Sequence, residues 1–192
     1  IFPSARPRAE MLRLTALVLS LTAIVSSSWR EAASATSEAA PPGEGVIKFT
    51  RLWVSSDGAT HIKDCSVQGL KRSGSFGTPQ YVRDMLGDLR PTDLVFTQQT
   101  GANPWHPCPS PQLVVTLAGS WYVNTTDGDS VVFRPGDVLY QDDSRGLTVA
   151  GNQPSHFSGA VGGPCNQLVI SVAKSPVLDD VSCDWLNASG AR

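Results

Sequence analysis

Short runs of alternating apolar and polar residues, separated by turn residues, fill most of the chain after residue 46. Alternation with a period of two places successive side chains on opposite faces of a β-strand. Turn residues separate the runs at intervals of about 8–12 residues, which is typical of all-β domains. The predicted strands cover 46–54, 60–67, 93–98, 113–117, 120–124, 130–133, 138–140 and 166–172. The pattern therefore predicts a single all-β sandwich or barrel without a long amphipathic helix.

Side chains that could bind a metal ion or a small ligand are concentrated in residues 101–137, where His106, Cys108 and Gln112 follow one another at short spacing. On one extended strand these three side chains would share a face, because alternate residues point to the same side. Gly119 is predicted to end that strand at a turn. The spacing predicts that an imidazole, a thiol and a carboxamide face one cavity.

This spacing resembles the first motif of the cupin superfamily, His-x-His-x3-Glu-x6-Gly, with Cys108 at the second His and Gln112 at the Glu. The chain is also similar to a group of small single-domain cupins, which carry four short motifs in a fixed order. Those motifs correspond here to segments 57–64, 105–112, 127–139 and 142–156. The resemblance implies a cupin-type jelly-roll β-barrel over 46–174, followed by a C-terminal tail over 175–192.

The resemblance leaves two candidate sites open. In one, His106, Gln112 and His156 bind a divalent transition metal, as a cupin enzyme of the oxygenase or isomerase type requires. In the other, His106, Gln112, Trp121 and Tyr140 line a pocket for a small organic molecule or a sugar. Aromatic residues on strands are also typical of a packed core, which is the alternative role for Trp121 and Tyr140.

The substitution of Gln112 for the motif carboxylate favours a binding module over an enzyme, because a neutral carboxamide is a poor metal ligand. No catalytic residue is assigned, and His61 is interpreted as structural. A scaffold protein that uses the barrel only for support is a third interpretation.

Four cysteines allow three disulfide connectivities, and the sequence alone does not choose among them. The cupin resemblance implies that Cys108 lies beside Cys165, in which case Cys65 with Cys183 would tether the tail. Export to an oxidising compartment predicts that all four are paired.

The N-terminal region from Met11 has the pattern of a secretory signal: Arg13, an apolar run over 14–25 and small residues over 26–28. Residues 1–28 are thus interpreted as an upstream fragment end plus a signal peptide. The apolar run is too short to span a bilayer, so no membrane association is expected after its removal. A plastid or other organellar presequence is the alternative. Residues 29–45, rich in Ala, Ser, Pro and Gly, are predicted to be a disordered linker.

Charge excludes one class of partner. The 192 residues carry a formal net charge of −2 without a Lys/Arg-rich run, so nucleic acid is not an expected partner. A small-molecule ligand and a second copy of the chain stay as candidate partners. Asn124 and Asn187 match the N-glycosylation pattern of exported proteins.

Overall fold

The computed structural model describes residues 42–74, 77–84, 89–181 and 183, which hold ten strands and no α-helix. Residues from 42 onward form one compact unit. The predicted signal peptide, most of the linker and Asn187 lie outside the described residues. Within these ranges no helix has the length and apolarity to cross a membrane.

The strands follow the predicted alternation, with three further short strands. They are β1 (Lys48–Val54), β2 (Thr60–Ser66), β3 (Lys71–Ser73), β4 (Gln80–Val82), β5 (Pro91–Gln99), β6 (Ala102–His106), β7 (Gln112–Asn124), β8 (Ser130–Phe133), β9 (Val138–Gln141) and β10 (His156–Val172). The predicted all-β class is confirmed.

The principal sheet has the strand order β2-β1-β9-β7-β10-β5, so that β2 and β5 end this path. Strand β6 pairs with β10 and β8 pairs with β7, outside the path, while β3 and β4 form a separate hairpin. Most neighbours are antiparallel, and the β1–β9 pair is parallel. The non-sequential order is that of a jelly roll rather than a simple meander.

Two long strands, β7 and β10, belong to both layers of the domain. The first part of β7 pairs with β9, and its last part pairs with β8. The last part of β10 pairs with β5, and its first part pairs with β6. The interior cluster between the layers holds Leu52, Val114, Trp121, Val123, Phe133, Leu139 and Cys165.

Gly119 does not end a strand, as predicted, but lies within β7. Its φ of 75° is a conformation that favours glycine, and a Cβ there would lie 2.4 Å from the Pro164 carbonyl oxygen. A residue without a Cβ therefore lets β7 turn against β10 while remaining paired with it. The two predicted strands 113–117 and 120–124 are one strand for this reason.

Residues 106, 108 and 112 do not share one strand face, which corrects the sequence interpretation. His106 ends β6, Cys108 forms an isolated bridge with Ser144, and Gln112 begins β7. The physical reason is the proline at 107, 109 and 111, because proline supplies no N–H for strand pairing.

A second apolar cluster lies under the C-terminal tail and includes Phe49, Tyr140 and Val172. The Cys65–Cys183 disulfide, with Cα atoms 5.6 Å apart, links β2 to the tail. This is the tail-tethering bridge that the cupin resemblance implied.

The implied neighbouring pair Cys108–Cys165 is wrong, because both cysteines are free and buried. The backbone of Cys108 bonds to Asp143 and Arg145, whereas Cys165 pairs with Gln99 on β5. The prolines around Cys108 carry it away from the strand that would have placed it beside Cys165.

The bend at Gly119 predicts a large difference between two glycine substitutions. Gly119→Ala adds left-handed strain, worth roughly 1–2 kcal/mol, and a backbone clash worth roughly 1–3 kcal/mol more. Gly128, with a φ of 98° and no atom within 4 Å of its ideal Cβ, is the matched control. Denaturant unfolding should show that Gly128→Ala costs only the strain, about 1–2 kcal/mol. Equal losses in the two variants would contradict this account of the bend.

The cysteine arrangement predicts two titratable thiols per chain in denatured, unreduced protein, because one disulfide forms and two cysteines stay free. Before denaturation the same reagent should react slowly, since Cys108 and Cys165 are 1% and 0% exposed. Double replacement of these two by Ser should bring the titre to zero. A titre of zero in the unmodified chain would restore the four-paired arrangement.

Candidate functional site

Two histidines from different strands meet at one end of the interior. His106 at the end of β6 is the cross-strand partner of His156 at the start of β10. Their ring centroids are 4.4 Å apart, with the rings tilted by 54°. His156 is 2% exposed, while His106 is half-buried and faces the outer edge of the pair. The pair therefore joins a buried imidazole to one that solvent or a ligand can reach.

Each ring has its Nδ1 held by an acceptor. His156 Nδ1 lies 2.7 Å from Asp143 Oδ2, and His106 Nδ1 lies 2.7 Å from the Pro104 carbonyl oxygen. A carbonyl oxygen only accepts hydrogen bonds, so Nδ1 of His106 carries the proton. Nδ1 of His156 is assigned a proton in the same way, because it then donates to the carboxylate of Asp143. In the neutral rings the Nε2 atoms are then the nitrogens with lone pairs. Such a lone pair accepts a hydrogen bond or binds a metal.

Burial is the main reason that the pKa of His106 lies below its usual value, and the neighbouring His156 lowers it further. The Pro104 carbonyl and the Asp143 carboxylate act in the opposite direction. His106 thus remains neutral at physiological pH, with its Nε2 available as an acceptor.

Gln112 lies on β7, 7% exposed, and its cross-strand partner is Gln141 on β9. It shares the face of Val114, which belongs to the interior cluster. Gln141 in turn precedes Asp143 by two residues. Gln112 therefore faces the same interior as the histidine pair, one strand away from the carboxylate that holds His156.

Cys108 is next to this site but is not reactive. Its Sγ donates weakly to the Gln141 carbonyl oxygen at 3.9 Å, and the residue is 1% exposed. Burial first, and then the Asp143 carboxylate, raise the pKa of the thiol far above its usual value. A thiolate nucleophile or metal ligand at Cys108 is therefore disfavoured.

The two predicted aromatic pocket residues lie in different clusters. Trp121 packs in the interior, where its ring stacks on Phe133 with centroids 4.9 Å apart and its N–H donates to Thr116 Oγ1 at 2.9 Å. Tyr140 is fully buried in the cluster under the tail. Both side chains are used for packing, and the fold does not bring them to one pocket with His106.

Asp142 and Asp143, two adjacent carboxylates in a segment that sequence alone would place in a solvated turn, are both 0% exposed. Asp142 Oδ2 lies 3.9 Å from Arg51 and accepts from the Val177 backbone N–H, whereas Asp143 holds His156. They continue the buried strand β9, so their side chains alternate between two buried surroundings instead of pointing outward. The apolar run from Val138 to Tyr140 directly before them was the available sequence signal.

Buried neutral polar side chains line part of the interior. Gln99 Nε2 donates to Ser158 Oγ at 3.3 Å, and Asn103 Nδ2 lies 3.5 Å from the same oxygen. Within the described part of the chain, Gln141 Oε1 and Gln167 Nε2 are buried without a hydrogen-bond partner. A buried amide group without a partner costs about 1–3 kcal/mol, so such atoms are normally satisfied by water or a ligand.

A pocket of about 390 Å³ lies where these amides meet the turn between β5 and β6. Its walls are residues 97–103 and Gln167, and every side chain that lines it is uncharged. Its volume falls in the range of about 300–1,000 Å³ that is usual for small-molecule sites.

The pocket lies close to the histidine pair along β10. Asn103 pairs with Ser158, and His106 pairs with His156 two residues earlier on β10. The pocket and the histidine pair are thus neighbours along one strand. Sequence reasoning missed this pocket because its Gln and Thr residues look like an ordinary polar strand end.

A second polar group on the other hairpin has the order of a hydrolytic triad. Ser55 Oγ lies 3.0 Å from His61 Nε2, and His61 Nδ1 lies 2.6 Å from Asp127 Oδ2. Trp53 stacks on the His61 ring with centroids 4.2 Å apart. These contacts join the β1–β2 hairpin to the turn after β7.

The surroundings of Ser55 oppose nucleophilic catalysis. The Asp57 carboxylate contacts the same hydroxyl and would repel a developing oxyanion. The neighbouring N–H groups of Ser56, Gly58 and Ala59 already bond to Asp179, Ser55 and Asp57. The group therefore has the contacts of a structural link, without the donors of an oxyanion hole.

Metal ligands are incomplete in the described residues, where no group of three or more His, Cys, Asp or Glu is placed to hold an ion. Among the described residues the candidate ligands are the two imidazoles, with Gln112 facing the same interior.

No protein-family model matches the chain, and no curated protein matches it. Similar solved structures include a cupin-2 domain containing protein from Shewanella frigidimarina, 10% identical, covering 41% of this chain and 68% of that one, with a TM-score of 0.32. A putative ethanolamine utilization protein from Salmonella typhimurium is 11% identical and covers 66% of this chain and 96% of that one, with a TM-score of 0.31. The Drosophila melanogaster CENP-C cupin domain is 14% identical and covers 55% of this chain and 71% of that one, with a TM-score of 0.29.

These similarities are too distant to carry a functional argument. What the structure itself shows is an all-β domain with a non-sequential strand order, in which His106 pairs with His156.

The buried Asp142 predicts a fall in stability with rising pH. Burial raises its pKa to about 6, and this outweighs the opposing effect of Arg51. Because the folded pKa exceeds the unfolded one, the protonated form stabilises the fold fully below about pH 4, and this contribution is lost as the pH rises to about 6. Asp142→Asn should flatten this slope, which amounts to at most about 3 kcal/mol.

Denaturant unfolding between about pH 4 and pH 7 measures the slope. The exposed Asp129→Asn variant serves as the control and should keep the slope of the unmodified chain. An Asp142→Asn variant whose stability falls as steeply as that of the unmodified chain would assign the slope to other groups.

Proposed function

We propose that this chain is an exported binding module of cupin-type fold that holds a small, neutral, polyhydroxylated molecule of the sugar class. The observation that carries the proposal is the pair of buried amides in the wall of the pocket, Gln99 and Gln167, because Gln167 Nε2 has no partner within the described residues. A ligand hydroxyl both donates and accepts, so it can satisfy an amide N–H and an amide oxygen together.

The charge of the pocket supports a neutral ligand. Its lining offers Thr hydroxyls and Gln and Asn amides without an acidic or basic side chain. A charged ligand would lose its hydration without gaining a counter-charge there, which costs more than the hydrogen bonds return. Neutral hydroxyl groups carry no such penalty. The site thus favours a monosaccharide or similar polyol over an acid or amine.

His106 extends this site along β10. It stands two register positions from Asn103, and its Nε2 can accept a hydrogen bond from the ligand. Gln112 faces the interior behind it. Trp121 and Tyr140 are not needed as contacts, because both are packed in core clusters.

Export is supported by two features. The Cys65–Cys183 bridge is typical of proteins that fold in an oxidising compartment, and the pattern from Met11 is that of a secretory signal.

A metal-dependent enzyme is the second candidate, favoured by the histidine pair. Metal-binding histidines usually donate their other ring N–H to a carboxylate or a backbone carbonyl, as His156 and His106 do. A divalent transition metal on the two Nε2 atoms would act as a Lewis acid, and Gln112, which faces the same interior, would be the candidate for a further donor. The remaining coordination positions of the metal would have to be filled by water or substrate, so the protein would bind the metal weakly.

Calorimetric titration with glucose, galactose, mannose and xylose tests the first candidate, with glucuronate as the charged comparison. At least one neutral sugar should bind, and Gln167→Ala should weaken it about 10-fold, the effect of losing roughly one buried hydrogen bond. Gln153→Ala, at an exposed position, should leave binding unchanged. Preference for glucuronate, or equal losses in both variants, would overturn the pocket assignment.

Elemental analysis of the same preparations tests the second candidate. About one transition-metal ion per chain, lost in His106→Ala, would favour the enzyme. Sugar binding that survives His106→Ala in metal-free protein would favour the binding module.

A further inference from the structure

The edge strand β5 is apolar on the side that should face water. It ends the path of the principal sheet, and eight of its nine residues are exposed. Leu94, Val95 and Phe96 are 57%, 44% and 72% exposed. Such a run at an edge offers unpaired backbone groups together with apolar side chains.

The apolar surface continues inward from the edge. Phe96 pairs with Leu168, which pairs with Val115, so three apolar side chains form one row across β5, β10 and β7. Leu117, further along β7, is 45% exposed. We call Leu94, Phe96, Leu168 and Leu117 the β5 face. A contiguous patch of this kind marks an interaction site more often than chance exposure does.

Strand β5 lacks the usual protection of an edge. Its only charged residue is Asp93, and its only proline is Pro91, at the first position. Natural edge strands are commonly blocked by lysines, internal prolines or bulges. The one register irregularity of β5 lies at its first residues, between Pro91 and Asp93. From Leu94 to Gln99 the strand has no lysine, proline or bulge, which indicates that this part of the edge is covered by a partner.

The described part of the tail and the sequence of residues 29–45 offer little to cover this edge. Val177 and Cys183 of the tail are already packed against the cluster of Phe49 and Tyr140. That position is tied by the disulfide to β2. Residues 29–45 contain Trp29 as their only large apolar side chain.

We propose that β5 pairs antiparallel with β5 of a second copy about a two-fold axis at Val95. In this register Leu94 lies opposite the partner subunit's Phe96, and Asp93 lies opposite the partner's Thr97. Apolar side chains meet apolar ones, and no like charges are opposed, so the strand is complementary to itself. A two-fold contact of one patch with itself closes after two copies.

In this dimer the second copy would lie beside the pocket. The pairing itself does not depend on which ligand the pocket binds. Thr97 and Gln99 belong both to β5 and to the pocket wall. The dimer would bring the partner's Asp93 to the margin of the wall at Thr97.

Light scattering on the full chain after size-exclusion chromatography tests the assembly. From about 1 to about 100 µM, a range that reveals micromolar Kd values, the mass should reach twice the 20.4 kDa of one chain. Phe96→Lys should raise the dimer Kd at least 10-fold. Val132→Lys, at a 39% exposed residue on β8, is the control and should leave it unchanged.

A second variant tests the axis without removing an apolar side chain from the β5 face. Directly opposed Cβ atoms lie about 4.5–5.5 Å apart, so Val95→Cys should form a covalent dimer on mild oxidation. Gln98→Cys, three residues from the axis, should not. A monomer at about 100 µM, a dimer that Phe96→Lys leaves intact, or equal crosslinking at both positions overturns the proposal.

Discussion

The close approach of β7 and β10 at Gly119 is the constraint on which the domain depends. At this point the backbone of one strand passes so near the other that a Cβ would lie 2.4 Å from the Pro164 oxygen. The approach lets both strands continue past this point, with their pairing resumed on either side of a register shift between Val161 and Asn166. Each layer then contributes side chains to one interior, and both ends of β10 bring functional residues to it: His156 at the start and Gln167 near the end. Without the bend, the histidine pair and the pocket amides would belong to separate sheets.

Two adjacent aspartates divide the buried charge between the two sides of the principal sheet. Asp142 faces the cluster under the tail, where Arg51 and the Val177 N–H partly offset its burial. Asp143 faces the interior and fixes the ring of His156. Because successive residues of an extended chain point in opposite directions, one short segment after β9 anchors the tail and orients the site together. Each carboxylate is costly to bury, and the pairing with a cation or an imidazole is what makes the burial tolerable.

The sequence predicted the β-class and most strands, because alternation is a local property, whereas the placing of His106 with His156 in one site came from the cupin resemblance. It failed where the outcome depends on the approach of distant segments. Gly119 has the composition of a turn, yet its role is set by Pro164, forty-five residues later. Asp142 and Asp143 have the composition of a solvated loop, yet Arg51 and His156 bury them. Cys108 and Cys165 could not be assigned from spacing, because three prolines redirect the chain around Cys108.

Strand β5 joins the pocket to the apolar edge. Its last residue, Gln99, is buried and donates to Ser158, whereas Leu94, Val95 and Phe96 in its middle are exposed. A hydropathy pattern alone does not reveal which residues of such a strand are covered. Polar residues are tolerated inside only where something satisfies their hydrogen bonds, and apolar residues outside only where something covers them. Strand β5 therefore connects the two proposals physically, because its last residues form part of the pocket wall and its backbone edge is the line along which the second copy would pair.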